Sequence, residues 1–322
     1  MFPRSDLDMS NIHIKDYPDI TYISKKDHDT NDSLVKMLAM VGKNKRVIDF
    51  GCATGYFAKL LSAEGCKVIG VEINPEAAKV AEEYCQKALV ADLDNVNLLS
   101  LLGDEKFDVA TFGDVLEHLK DPWSFLSSVK EILTTNGCVV ASVPNIAHGS
   151  IRLALAEGRF EYQELGIMDR THLRFFTHAS LYELFESSGY SIESEDSVIF
   201  PIFNDSSLTP NIEQEDFPSE LINFLHQDKH SQALQFVVRA YPWSMAYEYS
   251  LLRKEHDQLK TELQSKQLEL EQAQQQLQQA YSKIETTQTE LKQSFLEIQS
   301  IEQSKTWRLN RKWDTFKRVF KR

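Results

Sequence analysis

Between residues 30 and 242, short apolar segments alternate with longer amphipathic ones. Five segments rich in β-branched and apolar residues are predicted to be strands, at 46–50, 67–73, 87–92, 107–113 and 137–143. They are apolar on both faces, which is typical of parallel strands buried inside a domain. The segments between them carry apolar residues at helical spacing. This alternation predicts an α/β domain in which helices cover a parallel sheet.

The pattern changes after the fifth strand but stays within the same predicted domain. A polar segment at 144–177 comes first; the elements predicted after it are a helix, a strand, a helix and a strand, at 178–188, 190–200, 218–227 and 234–241. Beyond Pro242 the composition changes sharply, so the domain is predicted to span 30–242, with residues 1–29 as a lead segment.

A seven-residue repeat governs the segment 248–304, which holds no Pro, Gly or Cys. The repeating residues are Leu263, Leu270, Leu277, Ile284, Leu291 and Ile298. Six heptads in step predict a long coiled-coil helix, and therefore a homo-oligomer. The second core position of the repeat is often glutamine, as at Gln267, Gln274 and Gln288, which keeps a single solvated helix open as the alternative.

Charge is distributed unevenly along the chain. The net charge of −13 argues against a nucleic-acid binder, yet residues 305–322 carry eight Lys/Arg and one Asp. Within this tail, Leu309, Trp313, Phe316 and Phe320 share one helical face. A basic helix with an apolar face is predicted to lie on an anionic membrane. Packing on its own domain or continuing the coiled coil is the alternative.

The sequence shows no targeting signal and no metal-binding motif. The first residues do not have the apolar core of a signal peptide, and no run of eighteen apolar residues is present. The expected location is therefore cytoplasmic, or peripheral on the cytoplasmic membrane face. The cysteines are scattered without a CxxC pair, so buried reduced thiols are predicted and no metal site is predicted.

The stretch VIDFGCATGYF, residues 47–57, reads as a strand, a glycine loop and the start of a helix. Its glycines, Gly51 and Gly55, are spaced G-x-x-x-G, with Ala53 where a dinucleotide fingerprint has its second glycine. The lysine of a phosphate-binding P-loop is absent as well. Asp49 at the mouth of the loop would repel a pyrophosphate and attract a cation. S-adenosylmethionine carries an ammonium and a sulfonium and no phosphate, so it is the predicted cofactor.

Two further acids end the next two predicted strands. Glu72 is placed to accept hydrogen bonds from ribose hydroxyls, and Asp92 to bind an adenine amino group. Ile73 and Leu93, the residues that follow them, belong to the same predicted cofactor site. Taken singly, each acid could instead cap the helix after it. Three acids at successive strand ends favour a ligand site at this edge of the sheet.

As a set, these segments resemble class I S-adenosylmethionine-dependent methyltransferases. The motifs that carry the resemblance are VIDFGCATGYFAKLL, VIGVEINPEAAKVAEE, VADLDN and FDVATFGDVLEHLKDPWSFL, within residues 45–145. The resemblance implies a Rossmann-like sheet of seven strands in the order 3-2-1-4-5-7-6, with strand seven antiparallel. Residues 142–190 resemble a narrower group that accompanies, or is fused to, glycosyltransferases of bacterial surface-polysaccharide assembly. That second resemblance implies a sugar or glycan acceptor and a glycosyltransferase partner.

The catalytic candidates follow the fourth strand and the polar segment after the fifth. Asp114 is expected to face the methionine part of the cofactor, and His118, one turn on, is the candidate general base. His148 and His172 are its rivals, and each histidine could instead be a cap or an orienting group. Asp169 and His172 alone offer too few ligands to predict a metal.

The polar segment also holds basic and aromatic residues. The basic ones, which would suit a phosphate or sugar acid, are Arg152, Arg159, Arg170 and Arg174. The aromatic ones, which could stack on a sugar ring or pack in the core, are Phe160, Tyr162, Phe175 and Phe176.

The sequence therefore predicts an S-adenosylmethionine-dependent methyltransferase that O-methylates a sugar in surface-polysaccharide biosynthesis. A small-molecule O-methyltransferase of a quinone-precursor type is the first alternative. A non-catalytic coiled-coil scaffold is the alternative from another functional class, and the intact acid and glycine set argues against it.

Overall fold

The structure is a computed structural model that describes residues 30–204, 206–243, 245–303 and 305–319. The chain divides into two compact units, the first ending at Ser244 and the second running from Met245 to Arg322. The predicted lead segment, 1–29, lies outside the described residues, as do Phe320 and the last two residues of the predicted basic tail.

The first unit is built on one seven-stranded sheet. In chain order its strands are β1 (Arg46–Phe50), β2 (Lys67–Glu72), β3 (Lys87–Val90), β4 (Phe107–Gly113), β5 (Leu133–Pro144), β6 (Tyr190–Ile199) and β7 (Ala233–Pro242). The strand order is β3-β2-β1-β4-β5-β7-β6. β7 is antiparallel to both β5 and β6, and the remaining neighbours are parallel. The predicted fold class and strand order are confirmed.

Helices cover both faces of the sheet. They are α1 (Ser33–Val41), α2 (Tyr56–Ala63), α3 (Pro75–Ala81), α4 (Leu98–Leu102), α5 (Pro122–Val129), α6 (Gly149–Ala156), α7 (His178–Ser187) and α8 (Ser219–Gln227). Alternate side chains of β1 point to opposite faces of the sheet. Ile48 and Phe50 pack in one buried cluster, whereas Val47 packs in the other. Asp49 points to the same face as Val47 because side chains alternate along a strand, and this places a carboxyl group beside an apolar core.

Three helices of this unit were not predicted: α1, α4 and α6. α1 and α4 are short, and α6 lies inside the segment that was interpreted as polar. α6 begins with Gly149 and Ser150, which usually indicate a loop, but it buries Ile151, Leu153 and Ala154. Tertiary packing therefore outweighs the local preference of its first turn.

The second unit consists of two helices, α9 (Met245–Gln303) and α10 (Lys305–Val319). With 59 residues, α9 is about 88 Å long at 1.5 Å per residue. The six residues of its seven-residue repeat, which we call the heptad stripe, are all exposed, from 53% for Ile284 to 70% for Leu291. In α10 the described apolar residues Leu309, Trp313 and Phe316 are exposed as well. Among the described helices, none combines the length and apolar character needed to cross a membrane.

Candidate active site

The loop after β1 has an unusual backbone that its glycines permit. Gly51, Ala53 and Gly55 have φ angles of 66°, 49° and 84°. A Cβ atom at position 51 would come within 2.6 Å of Val115 Cγ2, and one at position 55 within 2.9 Å of the Ala81 Cα. Only glycine fits at these two positions, because both the φ angle and the neighbouring atoms exclude a side chain. The loop therefore has a fixed shape that leads into α2.

Asp49 sits beneath this loop and is 3% exposed. Its Oδ1 accepts a hydrogen bond of 2.7 Å from the Thr111 hydroxyl, whereas its Oδ2 has no hydrogen-bond partner among the described residues. Burial raises the pKa of Asp49 to about 7; the Thr111 hydrogen bond opposes this rise and the nearby Glu72 charge adds to it. A buried acceptor that lacks a donor is costly. It fits a ligand that brings a positive charge and N–H groups, and it does not fit a phosphate.

Glu72 ends β2 and is also buried. Its Oε2 accepts from the Ala53 amide at 2.9 Å, and its Oε1 accepts from the Asn74 amide at 3.0 Å. The carboxylate thus joins the glycine loop to the start of α3, whose N-cap is Asn74. A carboxylate oxygen can accept more than one hydrogen bond, so these two bonds do not exhaust the acceptor capacity of Glu72.

The predicted residues after β2 and β3 complete this edge of the sheet. Asp92 is half-buried, and its carboxylate accepts from the Asp94 amide at 3.0 Å and from the Asn95 side chain at 2.6 Å. Leu93 is partly buried against the core, and Ile73 is 44% exposed. Asp92 therefore shapes its own turn and does not cap α4, whose N-cap is Asn97. Ile73 offers an open apolar surface next to Glu72.

Asp114 follows β4 with a φ angle of 54°. Its Oδ1 accepts from the Ser142 hydroxyl and from the Gln235 side chain, both at 2.8 Å. These bonds hold Asp114, at the end of β4, to residues near the ends of β5 and β7. Thr111, Ser142 and Gln235 were not predicted as partners of the acids. The one feature of the sequence that could have indicated them is that each is a polar residue inside an otherwise apolar strand.

The four acids lie at the ends of four adjacent strands, in the sheet order β3, β2, β1 and β4. Crossover connections run in opposite directions from β1 and from β4, so the sheet has its topological switch point between them. Open α/β sheets bind ligands at the carboxyl ends of the strands around that point. The structure therefore gathers Asp49, Glu72, Asp92 and Asp114 along the edge where a ligand is expected.

Two of the three candidate histidines meet beside this edge. The rings of His118 and His172 are 4.8 Å apart and inclined at 72°. The amides of Leu173 and Arg174 donate to the Glu117 carbonyl at 2.8 and 2.9 Å, which ties the polar segment to the chain after β4. His172 Nε2 lies 4.0 Å from Glu117 Oε1. Glu117, which the sequence analysis missed, thus joins both histidines in one cluster.

His148 lies elsewhere and has a structural role. It is fully buried at the N-cap of α6, where its Nδ1 lies 2.8 Å from the Ser150 hydroxyl and its Nε2 lies 3.1 Å from the Phe200 carbonyl. Burial lowers the pKa of His148, which favours the neutral ring. Because both ring nitrogens are hydrogen-bonded within the fold, we assign His148 to capping and not to catalysis.

The basic residues of the polar segment are engaged within the fold. Arg152 pairs with Asp228, Arg159 with Glu157 and Arg170 with Glu164, while Arg174 donates to the Lys120 carbonyl. Their contact with a phosphate or sugar acid stays a prediction.

Aromatic side chains form a row that leads to the histidines. Phe160 is 5.5 Å from Tyr162 and 6.0 Å from Phe175, whose ring is 6.2 Å from His172. Phe160 and Tyr162 are exposed, whereas Phe176 is buried in the core. The exposed part of this row offers flat apolar surface to a ring-shaped acceptor.

Comparison with known proteins agrees with this geometry. A family model for a methyltransferase domain matches residues 22–195. A ubiquinone biosynthesis O-methyltransferase of Cereibacter sphaeroides is 27% identical over 157 residues, which cover 48% of this chain and 64% of the relative. One of the same name from Histophilus somni is 31% identical over 108 residues, covering 31% and 45%. The chain thus spans less than two thirds of the length of these curated relatives.

Solved structures with a similar fold include two methyltransferases. A SAM-dependent methyltransferase from Archaeoglobus fulgidus is 20% identical, with a TM-score of 0.46 and coverage of 66% of this chain and 92% of that one. An S-adenosylmethionine-dependent methyltransferase from Mesorhizobium loti is 20% identical, with a TM-score of 0.42 and coverage of 65% and 95%. The family match extends over more than half of the 322 residues and includes the glycine loop and all four strand-end acids. The chain therefore belongs to the methyltransferase domain family.

Proposed function

We propose that this chain binds S-adenosylmethionine at the carboxyl edge of its sheet and transfers the methyl group to a hydroxyl oxygen. The observation that carries the proposal is the buried Asp49 carboxyl group, whose Oδ2 has no hydrogen-bond partner in the part of the chain that the structure describes. S-adenosylmethionine supplies an electrophilic methyl group on a sulfonium. The residues that would hold it are Asp49 for the ammonium, Glu72 for the ribose, Asp92 for the adenine and Asp114 for the methionine part.

The enzyme's remaining task is to align the acceptor and to assist the loss of its proton. The acceptor side is the cluster of His118, His172 and Glu117, which follows Asp114 along the chain and lies at the end of the aromatic row. His118 is half-buried, so its ring is accessible to an acceptor.

We infer that the acceptor is a sugar in surface-polysaccharide assembly. The support is the resemblance of residues 142–190 to methyltransferases that accompany glycosyltransferases, together with exposed Phe160 and Tyr162, on which a sugar ring can stack. A glycosyltransferase partner belongs to the same proposal. A quinone precursor is the second candidate acceptor, favoured by the names of the curated relatives.

The two acceptor classes are separated by one assay. Purified protein and S-adenosylmethionine are incubated with nucleotide sugars or lipid-linked glycans, and in parallel with a dihydroxybenzoate. Formation of S-adenosylhomocysteine and of a methylated product is followed by mass spectrometry. Turnover with the glycan set alone is expected. Turnover with the dihydroxybenzoate alone would replace the sugar by the quinone-type acceptor.

Cofactor identity is tested by Glu72→Gln. Calorimetry is expected to show binding of S-adenosylmethionine and none of NAD by the wild type. The variant should bind S-adenosylmethionine about tenfold to a hundredfold more weakly, since hydrogen bonds to a charged group contribute about 1.5–3 kcal/mol. Glu76→Gln, a change at an exposed acid of α3, is the control and should bind normally. Binding of NAD in place of S-adenosylmethionine would refute the proposal.

We further propose that the tail places the enzyme on an anionic membrane surface from the cytoplasmic side. Support comes from the exposed Leu309, Trp313 and Phe316 of α10 and from the eight basic residues of the tail. Each Lys or Arg near an anionic surface contributes about 1 kcal/mol, and the aromatic face adds apolar burial.

Trp313→Ala/Phe316→Ala should abolish vesicle binding at high salt, where the electrostatic contribution is screened and apolar burial is not. The measurement is flotation with anionic and neutral liposomes, with Asn310→Ala as an exposed control in α10. Wild type and control should float with anionic vesicles only. Equal flotation of the wild type and a chain lacking residues 305–322 would refute the proposal that the tail binds the membrane.

A further inference from the structure

Three side chains of metal-ligand type converge beside Asp114. The ligand atoms of Glu117, His118 and His172 all lie within 4.8 Å of one another, and Glu117 and His172 are buried. Ligand atoms that share one divalent ion lie about 2.0–2.2 Å from it, and hence within about 4 Å of each other. His172 Nε2 and Glu117 Oε1 are 4.0 Å apart, so only small side-chain shifts separate this arrangement from coordination.

The tautomer of His118 follows from Thr171. The Thr171 hydroxyl donates to Asp169 Oδ1 at 2.6 Å, so its oxygen acts as an acceptor toward His118 Nδ1 at 3.2 Å. The Thr171 carbonyl, 3.1 Å from the same nitrogen, is an acceptor as well. Nδ1 of His118 therefore carries the hydrogen, and Nε2 presents its lone pair. Asp169, paired with His172 in the sequence analysis as a candidate ligand, instead orients His118 through Thr171.

The tautomer of His172 follows from Ile167. His172 Nδ1 lies 3.0 Å from the Ile167 carbonyl, which can only accept, so this nitrogen also carries a hydrogen. In the neutral ring, Nε2 then presents a lone pair toward the buried Glu117 carboxylate. This nitrogen and Glu117 Oε1, 4.0 Å apart, are both atoms of the kind that ligate a divalent cation. Ligating histidines in metal sites show this same pattern, with the second ring nitrogen donating to a carbonyl.

Ring orientation distinguishes this cluster from the second histidine cluster in the described residues, His178, Glu195 and His230. The rings of His118 and His172 are inclined at 72°, so lone pairs in the two ring planes can meet at one point. The rings of His178 and His230 are stacked, 4.0 Å apart at 20°, so their lone pairs cannot converge. Glu195 already accepts from Tyr182 and contacts His178, both at 2.8 Å.

We propose that Glu117, His118 and His172 bind a divalent first-row transition metal of the Zn²⁺ class. Two imidazoles and one carboxylate suit such ions, whereas Mg²⁺ prefers oxygen ligands and water. Three protein ligands leave at least one coordination position open. The proposal departs from the sequence-based prediction of no metal site, which rested on spacing along the chain.

The open position gives the cation a role, which rests on the proposed function. The cluster follows Asp114, which is proposed to hold the methionine part of the cofactor, and it ends the aromatic row from Phe160. A hydroxyl that coordinates a divalent cation loses its proton to water more readily. The acceptor oxygen would then be activated without His118 acting as the base.

The test uses untagged full-length protein stripped with a chelator and dialysed. Zn²⁺ is titrated in competition with a chromophoric chelator, and Co²⁺ is added to record the visible spectrum of the bound ion. Wild type is expected to bind one ion per chain. Glu117→Gln, His118→Gln and His172→Gln should each weaken Zn²⁺ binding at least about tenfold, the smallest effect typical of even indirect partners of a metal. His178→Gln and Glu195→Gln are the matched controls and should bind like the wild type.

Calorimetry with S-adenosylmethionine keeps the two proposals apart. Variants that bind the cofactor normally and lose Zn²⁺ support the cation site. A wild type that binds Zn²⁺ but not S-adenosylmethionine would refute only the proposed function. If Glu117→Gln does not fold, His118→Gln, at a half-buried position, decides the question. Absence of stoichiometric Zn²⁺ binding by the wild type would overturn the cation site. An equal loss of Zn²⁺ binding in the control variants would overturn the cation site as well.

Discussion

Asp49→Asn is expected to stabilise the folded protein above neutral pH. Burial raises the pKa of Asp49 from 3.8 to about 7, so the folded state binds this proton more tightly than the unfolded state does. Ionised Asp49 therefore destabilises the folded state. This destabilisation is absent below the pKa of Asp49 in the unfolded chain, grows as the pH rises and is complete above about pH 7. The rise in the pKa of Asp49 corresponds to a loss of at most roughly 4 kcal/mol in the free energy of unfolding, at 1.36 kcal/mol per pKa unit. Asparagine removes this cost while its carbonyl still accepts from Thr111.

Urea denaturation of wild type and variant at about pH 4 and about pH 8 measures the effect. The free energies of unfolding should be similar at the lower pH and should differ by up to a few kcal/mol at the higher one. Asp104→Asn, at an exposed aspartate, is the control and should show no such divergence. A variant less stable than the wild type at the higher pH would contradict the prediction.

The same variant should bind S-adenosylmethionine more weakly, because the neutral amide no longer attracts a cation. Wild-type affinity is expected to rise between about pH 5.5 and 7.5 as Asp49 ionises, whereas the variant should show no corresponding rise. Calorimetry across this range measures both. A gain in stability with a loss of cofactor affinity would identify Asp49 as a residue kept for binding at the expense of the fold.

A chain that ends at Pro242 is expected to be monomeric, whereas the full chain is expected to be oligomeric. The reason is the heptad stripe of α9, whose six aliphatic side chains are all more than half exposed on a single chain. Burial of one such side chain contributes about 1.5–3 kcal/mol, so the stripe supplies on the order of 10 kcal/mol per helix on association. Sedimentation velocity of both chains measures the oligomeric state.

Two substitutions in the full chain refine this test. Leu270→Asp/Leu277→Asp places charges in the heptad stripe and should convert the oligomer into a monomer. Gln272→Asp adds a charge to the same part of α9 outside the stripe and should leave the oligomer intact. Cofactor binding should survive in all of these proteins, since the methyltransferase unit ends at Ser244. An identical oligomeric state for the full and shortened chains would refute the coiled-coil proposal.

The sequence predicted the strands well where local composition decides them. The boundaries of β1 and β4 agree with the prediction, because each is a short apolar segment with polar residues at its ends. The strand-end acids were found for the same reason, since each lies within or directly after the last residues of a predicted strand. α6 was missed because its first residues favour a loop and its stability comes from burial against other elements.

The partners within the site could not be predicted in this way. Asp49 meets Thr111, 62 residues away, and Glu117 meets His172 only because the amides of Leu173 and Arg174 bond to the Glu117 carbonyl. Such contacts depend on sheet order and loop path, not on spacing along the chain. For that reason the proposed cation site could not be predicted from the sequence.

The bonds of Glu72 bear on how fast the cofactor can be exchanged. Its two oxygens accept hydrogen bonds from the amides of Ala53 and Asn74, so groups of the protein itself fix the loop. The glycine loop is thus preorganised, and binding does not have to spend free energy on ordering that backbone. In the proposed reaction, S-adenosylhomocysteine would leave and fresh cofactor would enter without the loop unfolding and refolding between the two events.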